Sequence, residues 1–200
     1  MLELLIATTN RGKIKEIEML LKEDFPGLKL YSLADLHIAI ECPESGQTFY
    51  ENAAAKAIFY SKLAKDVFTA ADDSGLLVEA LHGQPGVHSA RYAGEACDDD
   101  KNIAKLLNVL NLQENRAARF MTAIVLARNG TLIDSFSGEV HGIILQDRRG
   151  TNGFGYDPVF YYPPLGRTFA QLTIEEKNGV SHRAAAFKQL KAYLKTKISL

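Results

Sequence analysis

The first 71 residues alternate between short apolar runs and segments with helical spacing, and this alternation is the strongest constraint on the fold. Residues 2–7 form an apolar run, and residues 14–21 then place apolar side chains at intervals of three and four. Further apolar runs cover residues 28–33 and residues 67–71. Such β–α–β alternation is typical of a sheet with parallel strands joined by helices, so it predicts an α/β fold.

Capping and turn residues predict the remaining elements. Thr48 and Glu51 have the spacing of a capping box, which predicts a helix running to about Lys65. Asp98 is suited to cap a helix that continues to residue 110. The dipeptide at 129–130, Asn-Gly, lies between two strand-like segments and predicts a β-hairpin.

The hairpin strands are expected at 120–128 and 131–140, with 141–146 continuing in the sheet. A strand at 76–81 and a turn at Asn178-Gly179 are also expected. The terminal helix is expected to begin near Ser181 and to bury one face that ends at Ile198. No linker separates independent domains, so we expect one mixed α/β domain over residues 1–200, with two lobes and a cleft between them that could bind a ligand.

Composition narrows the class of protein. The chain is 46% hydrophobic and 24% charged, and 23 basic residues against 24 acidic ones give a net charge of −1. This balance provides no broad basic surface for nucleic acid or an anionic membrane. Two cysteines, no leader-like N-terminus and no long apolar stretch favour a cytoplasmic protein without disulfides.

Two adjacent carboxylates follow the third apolar run, in the sequence Asp72-Asp73-Ser74-Gly75. The carboxyl ends of parallel strands face the crevice where open α/β sheets bind ligands, so the pair could hold a cation or accept a proton. Ordinary turn and capping chemistry explains the same residues. Glu44, in another loop, could join them in a Mg²⁺ site, or could be a surface glutamate.

Three other segments carry polar groups suited to a nucleotide. The loop between the first strand and helix could bind phosphate, or could be a helix cap with a solvated lysine. The glycine-rich loop could stack a ring on a base, or its rings could cover the core. Donors near the last helix could bind a ligand or be exposed. The first loop comprises Thr8, Thr9, Asn10, Arg11, Gly12 and Lys13. The glycine-rich loop contributes Phe154, Gly155, Tyr156 and Asp157, and the donors near the last helix are Lys177, His182 and Arg183.

Together these segments resemble the inosine/xanthosine triphosphate pyrophosphatase family, also called Ham1-like. The resemblance spans nearly the whole chain, and Thr9 departs from it because many relatives have glycine there. Six segments in this order carry it: Thr8-x-Asn10-x-x-Lys13, Glu44-Ser45-Gly46-x-Thr48-Phe49-x-Glu51-Asn52-Ala53, Ala71-Asp72-Asp73-Ser74-Gly75-Leu76, Pro85-Gly86-x-x-Ser89-Ala90-Arg91-Tyr92, Gly153-Phe154-Gly155-Tyr156-Asp157-Pro158 and Ser181-His182-Arg183.

The resemblance implies a single elongated mixed α/β domain with two lobes and a central substrate cleft. It also implies a Mg²⁺-dependent homodimer that converts ITP, dITP and XTP to the monophosphate and pyrophosphate, a house-cleaning activity. It implies that Glu44 and Asp73 hold the metal, and that Asp73 is the general base. The loop from Thr8 to Lys13 would bind phosphates, Ser74 would touch substrate, and the residues from Phe154 to Asp157 with Lys177, His182 and Arg183 would surround base and sugar. Two other interpretations stay open, a nucleotide binder without turnover and a pyrophosphatase for standard pyrimidine nucleotides.

Overall fold

A computed structural model describes residues 2–22 and 24–197, which form one seven-stranded sheet with five α-helices in the described part of the chain. This arrangement confirms the mixed α/β fold. The strands are β1 (Glu3–Ile6), β2 (Lys29–Ser32), β3 (Phe68–Val78), β4 (Ala117–Arg128), β5 (Thr131–Ile144), β6 (Phe160–Tyr162) and β7 (Arg167–Thr168). The helices are α1 (Arg11–Lys22), α2 (Phe49–Leu63), α3 (Asp99–Val109), α4 (Ile174–Val180) and α5 (His182–Lys197).

The strand order is β2-β1-β3-β4-β5-β6-β7. β1 pairs in parallel with both β2 and β3, placing Leu4 beside Leu30 and Phe68. Parallel neighbouring strands need long crossover connections. Helix α1 lies in the connection from β1 to β2, and α2 lies in the connection from β2 to β3. At the other end of the order, β6 pairs antiparallel with both β5 and β7.

The local signals for helix starts and for the hairpin are confirmed. Thr48 and Glu51 form both hydrogen bonds of a capping box at the start of α2. The side chain of Asp98 accepts from the backbone N–H of Lys101 and caps α3. Asn129 and Gly130 have φ of 50° and 78°, the left-handed pair that a tight hairpin turn requires, between β4 and β5.

The prediction of a turn at Asp72-Asp73-Ser74-Gly75 is wrong, because β3 runs through it without a break. The separate strand at 76–81 is therefore the end of β3, followed by a short 3₁₀ turn at Glu79–Leu81. The prediction of a turn at Asn178-Gly179 is also wrong, because both residues lie in α4. Thr173 and Glu176 form a capping box at the start of this helix. Ile198 lies outside the described residues.

The chain divides into two compact units, and each has its own hydrophobic core. The first unit comprises the chain up to Asp73, Thr122–Gly138 and the chain from Arg183 onward. Its core is built from β1, α1, β4 and α5, with Leu4, Ile17 and Leu190 fully buried. The second unit comprises Ser74–Met121 and Glu139–His182, and its core includes Leu106, Phe160 and Phe169. No helix among the described residues is both long and apolar enough to cross a membrane.

Candidate active site

Asp72 and Asp73 are consecutive residues in the first unit, and both are buried in β3. Successive side chains of a strand point to opposite faces, so the two carboxylates meet different partners. The Asp73 carboxylate contacts residues of α2, whereas Asp72 contacts residues of α1 and α5. The acidic pair is therefore two separate ionic clusters, neither of which is a turn cap.

Asn52 and Lys56 lie four residues apart in α2, on one face of the helix, and both approach Asp73. The Asn52 amide donates to Asp73 Oδ2 at 3.0 Å and accepts from the backbone N–H of Gly46 at 2.8 Å. Lys56 Nζ lies 3.0 Å from Glu44 Oε1 and 3.9 Å from Asp73 Oδ1. One helix thus connects Asp73 with the loop that carries Glu44.

Burial and charge act in opposite directions in this cluster. Burial raises the pKa of Asp73 above its ordinary value, although Lys56 and Lys13 oppose that rise. Burial alone would lower the pKa of Lys56, but the carboxylates of Asp73, Asp72 and Glu44 outweigh burial and raise it. Lys56 is therefore a firmly charged ammonium between two carboxylates.

Glu44 and Asp73 converge on one cationic atom, the Nζ of Lys56, which shows that their oxygens can face a common point. No group of three or more His, Cys, Asp or Glu side chains suited to a metal is found in residues 2–22 and 24–197. Mg²⁺ uses one or two carboxylates and takes its other ligands from water and substrate phosphates. Two convergent carboxylates therefore fit such an ion without a larger acidic cage.

The loop before α1 is held by its own side chains. Asn10 Oδ1 accepts from the backbone N–H of Lys13 at 3.1 Å, and Thr8 Oγ1 accepts from the N–H of Asn10 at 3.2 Å. This confirms the helix-cap interpretation of Asn10. The companion idea of a solvated lysine is wrong, because the Lys13 side chain is 13% exposed and lies 2.9 Å from Asp72 Oδ2. Thr9 and Arg11 are exposed, and Gly12 is half-buried.

Arg183, at the start of α5, belongs to the same unit and contacts two carboxylates. Its guanidinium donates to Glu16 of α1, and its Nε lies 3.5 Å from Asp72 Oδ2. Burial would raise the pKa of Asp72, but Lys13 and Arg183 overcome burial and hold that pKa far below its usual range. Burial lowers the pKa of Lys13, and Asp72 opposes the change.

The second unit contains a distinct cluster around Lys177 in α4. Lys177 is 4% exposed, pairs with the Asp157 carboxylate, and places Nζ 4.7 Å from the ring centroid of Phe154. Asp157 Oδ2 also accepts from the backbone N–H of Phe154 at 3.0 Å. One carboxylate thus ties the glycine-rich loop to a buried ammonium beside an aromatic face.

Other candidate residues of the second unit surround this cluster in different ways. Tyr156 belongs to the core and donates its hydroxyl to the carbonyl of Ser89 at 2.9 Å, so the interpretation that this ring covers the core is confirmed. The His182 ring stacks on Phe120 with centroids 5.0 Å apart. The backbone N–H of Gly155 donates to Asp99 Oδ2 at 2.7 Å, and Ser74 is half-buried in β3.

Gly153 determines whether the glycine-rich loop can close on Asp157. Its φ is +77°, and a Cβ there would overlap the Asp157 carboxylate. We expect Gly153→Ala to lower the free energy of unfolding by about 2–4 kcal/mol, from left-handed strain and the overlap together. Gly155→Ala is the matched control, because φ is +58° but nothing lies within 4 Å of its Cβ. The free energy of unfolding is measured by urea denaturation. Equal decreases for Gly153→Ala and Gly155→Ala would show that the overlap with Asp157 does not destabilise the protein.

Three functional candidates were not predicted from the sequence: Asn52, Lys56 and Glu16. Asn52 and Lys56 carry a detectable signal, since polar residues four apart interrupt an alanine-rich helix. Asn52 and Lys56 contact Asp73, and Glu16 contacts Arg183, so the partner of each residue lies far along the chain. Sequence spacing alone could not identify those partners.

Comparison with known proteins places this chain in a family. The family model for the Ham1 family matches residues 4–193. The chain is 46% identical to the dITP/XTP pyrophosphatase of Geobacter sulfurreducens over 97% of each protein, and 46% identical to that of Listeria innocua over 95% of this chain and 93% of the relative. The solved Staphylococcus aureus Ham1 protein gives a TM-score of 0.85 at 42% identity, covering 96% of this chain and 98% of that one. The Coxiella burnetii HAM1 protein gives 0.87 at 38% identity, covering 98% and 99%.

The matched family model covers most of the chain, and the relatives align along nearly their full length. The chain belongs to the Ham1 family.

Proposed function

We propose that this chain hydrolyses purine nucleoside triphosphates that carry hypoxanthine or xanthine, namely ITP, dITP and XTP. The products are the nucleoside monophosphate and pyrophosphate, and the reaction removes these nucleotides from the cellular pool. The convergence of Glu44 and Asp73 on one cationic position carries the proposal. Relatives that are 46% identical and named dITP/XTP pyrophosphatase support the substrate class.

The reaction poses a problem of charge. Water must attack a phosphorus atom surrounded by anionic oxygens, and the leaving pyrophosphate gains negative charge as the bond breaks. Mg²⁺, held by Glu44 and Asp73, would neutralise that charge and polarise the phosphate oxygens. Lys13 and Lys56 add two fixed positive charges in the same unit.

The Asp73 carboxylate orients the attacking water or accepts its proton. Its position is fixed by the Asn52 amide at 3.0 Å and by Thr122 Oγ1, which donates to the Asp73 backbone carbonyl at 3.1 Å. Burial, which raises its pKa, makes the carboxylate a better proton acceptor. Within the loop from Thr8 to Lys13, phosphate oxygens are assigned to the backbone N–H groups of Thr9, Arg11 and Gly12, because those of Asn10 and Lys13 already donate to side chains of the loop.

Recognition of the base is assigned to the cluster of the second unit. Hypoxanthine and xanthine present a 6-keto acceptor, whereas adenine presents a 6-amino donor, which leaves donors in the site unpaired. Lys177 has donor hydrogens beyond its pair with Asp157 and supplies such a donor, and Phe154 supplies an aromatic face. His182 and Ser74 would contact the rest of the nucleoside. Arg183 was predicted to reach the base as well, and that contact stays a prediction because its guanidinium here meets Glu16 and Asp72.

A panel of triphosphates tests the assignment. With Mg²⁺, we expect pyrophosphate release from ITP, dITP and XTP with kcat/KM at least about 100-fold above the values for ATP, GTP, dTTP and UTP. Excess EDTA should stop the release, and added Mg²⁺ should restore it. Tight ITP binding without pyrophosphate release would instead identify a nucleotide binder, and preference for dTTP or UTP would identify a pyrimidine enzyme.

We also propose that the chain forms a homodimer, on the basis of the family resemblance. We further propose that the protein is cytoplasmic, because both of its cysteines are free thiols. Light scattering coupled to size-exclusion chromatography gives the mass directly. A mass near twice 22.1 kDa would support the dimer, and a mass near 22.1 kDa at micromolar concentration would contradict it.

A further inference from the structure

Lys13 occupies a place that is unfavourable for a positive charge. It lies in the first turn of α1, where the helix dipole presents its positive end, and its side chain is only 13% exposed. Lys56 of α2 and Arg183 of α5 add further positive charge around it. An ammonium in this position needs an anion that compensates the dipole and the lost water.

Asp72 of β3 is that anion, and it is itself held from the other side. Its Oδ2 atom lies 2.9 Å from Lys13 Nζ and 3.5 Å from Arg183 Nε. Arg183 in turn pairs with Glu16, which lies one turn after Lys13 on α1. The four side chains form a linear series of alternating charge from Lys13 through Asp72 and Arg183 to Glu16, all buried or nearly buried, within one unit.

We propose that Asp72 is a positioning residue: its carboxylate, fixed by Arg183 and Glu16, holds the Lys13 ammonium at the start of α1 for contact with the substrate phosphates. Lys13 has three donor hydrogens, so it binds Asp72 and a phosphate oxygen together. Asp72 has a role different from that of Asp73, because its side chain points to the other face of β3 and is 2% exposed. Since the role requires Lys13 to bind phosphate, this inference rests on the proposed function.

Binding of inorganic tripolyphosphate with Mg²⁺, measured by calorimetry, tests the role without any base or turnover. We expect Asp72→Asn to weaken binding about tenfold or more, because an unanchored Lys13 contacts the phosphates less well. In a Lys13→Met background the same substitution should change binding by less than about twofold, because coupled residues are not additive. Equal losses in both backgrounds, or tighter binding by Asp72→Asn, would overturn the inference.

Asp24→Asn is the matched control, because Asp24 also bridges two lysines of the first unit, Lys191 at 2.6 Å and Lys195 at 2.5 Å. Its side chain is 28% exposed and takes no part in the cluster around Lys13, so tripolyphosphate binding should be unchanged. A loss in this variant equal to that of Asp72→Asn would attribute the effect to net charge and reject positioning by Asp72.

A measurement on the unaltered protein keeps the inference testable if Asp72→Asn does not fold. In ¹⁵N-lysine NMR without ligand, the Lys13 ammonium should be rigid and exchange its protons slowly with water. Lys15, an exposed lysine of the same helix, is the internal reference for free rotation. Identical behaviour of the two lysines would overturn positioning by Asp72, whereas a rigid Lys13 in a protein that does not cleave ITP would refute only the proposed function.

Discussion

Asp73→Asn should lower the turnover of ITP by about 10³-fold or more while leaving the fold intact. The substitution removes the proposed proton acceptor, which is also one of the two proposed anionic metal ligands. The amide oxygen of the new side chain can still accept from Asn52, and Lys56 keeps its partner Glu44 at 3.0 Å. Steady-state pyrophosphate release measures turnover, and circular dichroism with thermal unfolding measures the fold.

Asp147→Asn is the control for Asp73→Asn, because it makes the same chemical change at an exposed position. Its turnover should match that of the unaltered protein. Full activity of Asp73→Asn would show that the base and metal assignments are both wrong. Lost activity together with a lower unfolding temperature would assign Asp73 a structural role.

Features specified by neighbouring residues could be predicted from the sequence. Thr48 with Glu51, Asp98, and Asn129 with Gly130 each act within a few residues, and each forms the expected cap or turn. α4 carried the same kind of signal in Thr173 and Glu176, but Asn178-Gly179 suggested a turn instead. There the capping box sets the start of the helix, and a single glycine in a short helix costs only about 1 kcal/mol.

Features that depend on distant partners could not be predicted in the same way. The sequence at Asp72 and Asp73 is typical of a turn, yet β3 continues because Lys13, Lys56 and Arg183 neutralise both carboxylates inside the fold. Lys13 lies 59 positions before Asp72, Lys56 lies 17 positions before Asp73, and Arg183 lies 111 positions after Asp72. Local propensity could indicate that the pair was chemically unusual, but only tertiary structure could separate the two carboxylates.

Lys56 accounts for why the buried Asp73 carboxylate is tolerated before any substrate binds. A buried charge that loses its partner is strongly unfavourable, whereas a paired one is tolerated. Lys56 also contacts both proposed metal ligands, Glu44 and Asp73. The same ammonium therefore has two separable effects, on stability and on turnover.

Lys56→Met should reduce turnover of ITP by about 10²-fold, because a fixed positive charge beside the two proposed metal ligands is lost. It should also lower the free energy of unfolding by about 1–3 kcal/mol, a value kept moderate because Glu44 is 33% exposed and partly screened by water. Mg²⁺ should stabilise the variant more than the unaltered protein, since the ion no longer shares Glu44 and Asp73 with an ammonium. Lys65→Met, at an exposed lysine just beyond α2, should change none of these quantities. Unaltered turnover with reduced stability would restrict Lys56 to a structural role, and a weaker response to Mg²⁺ would contradict the placement of the metal between Glu44 and Asp73.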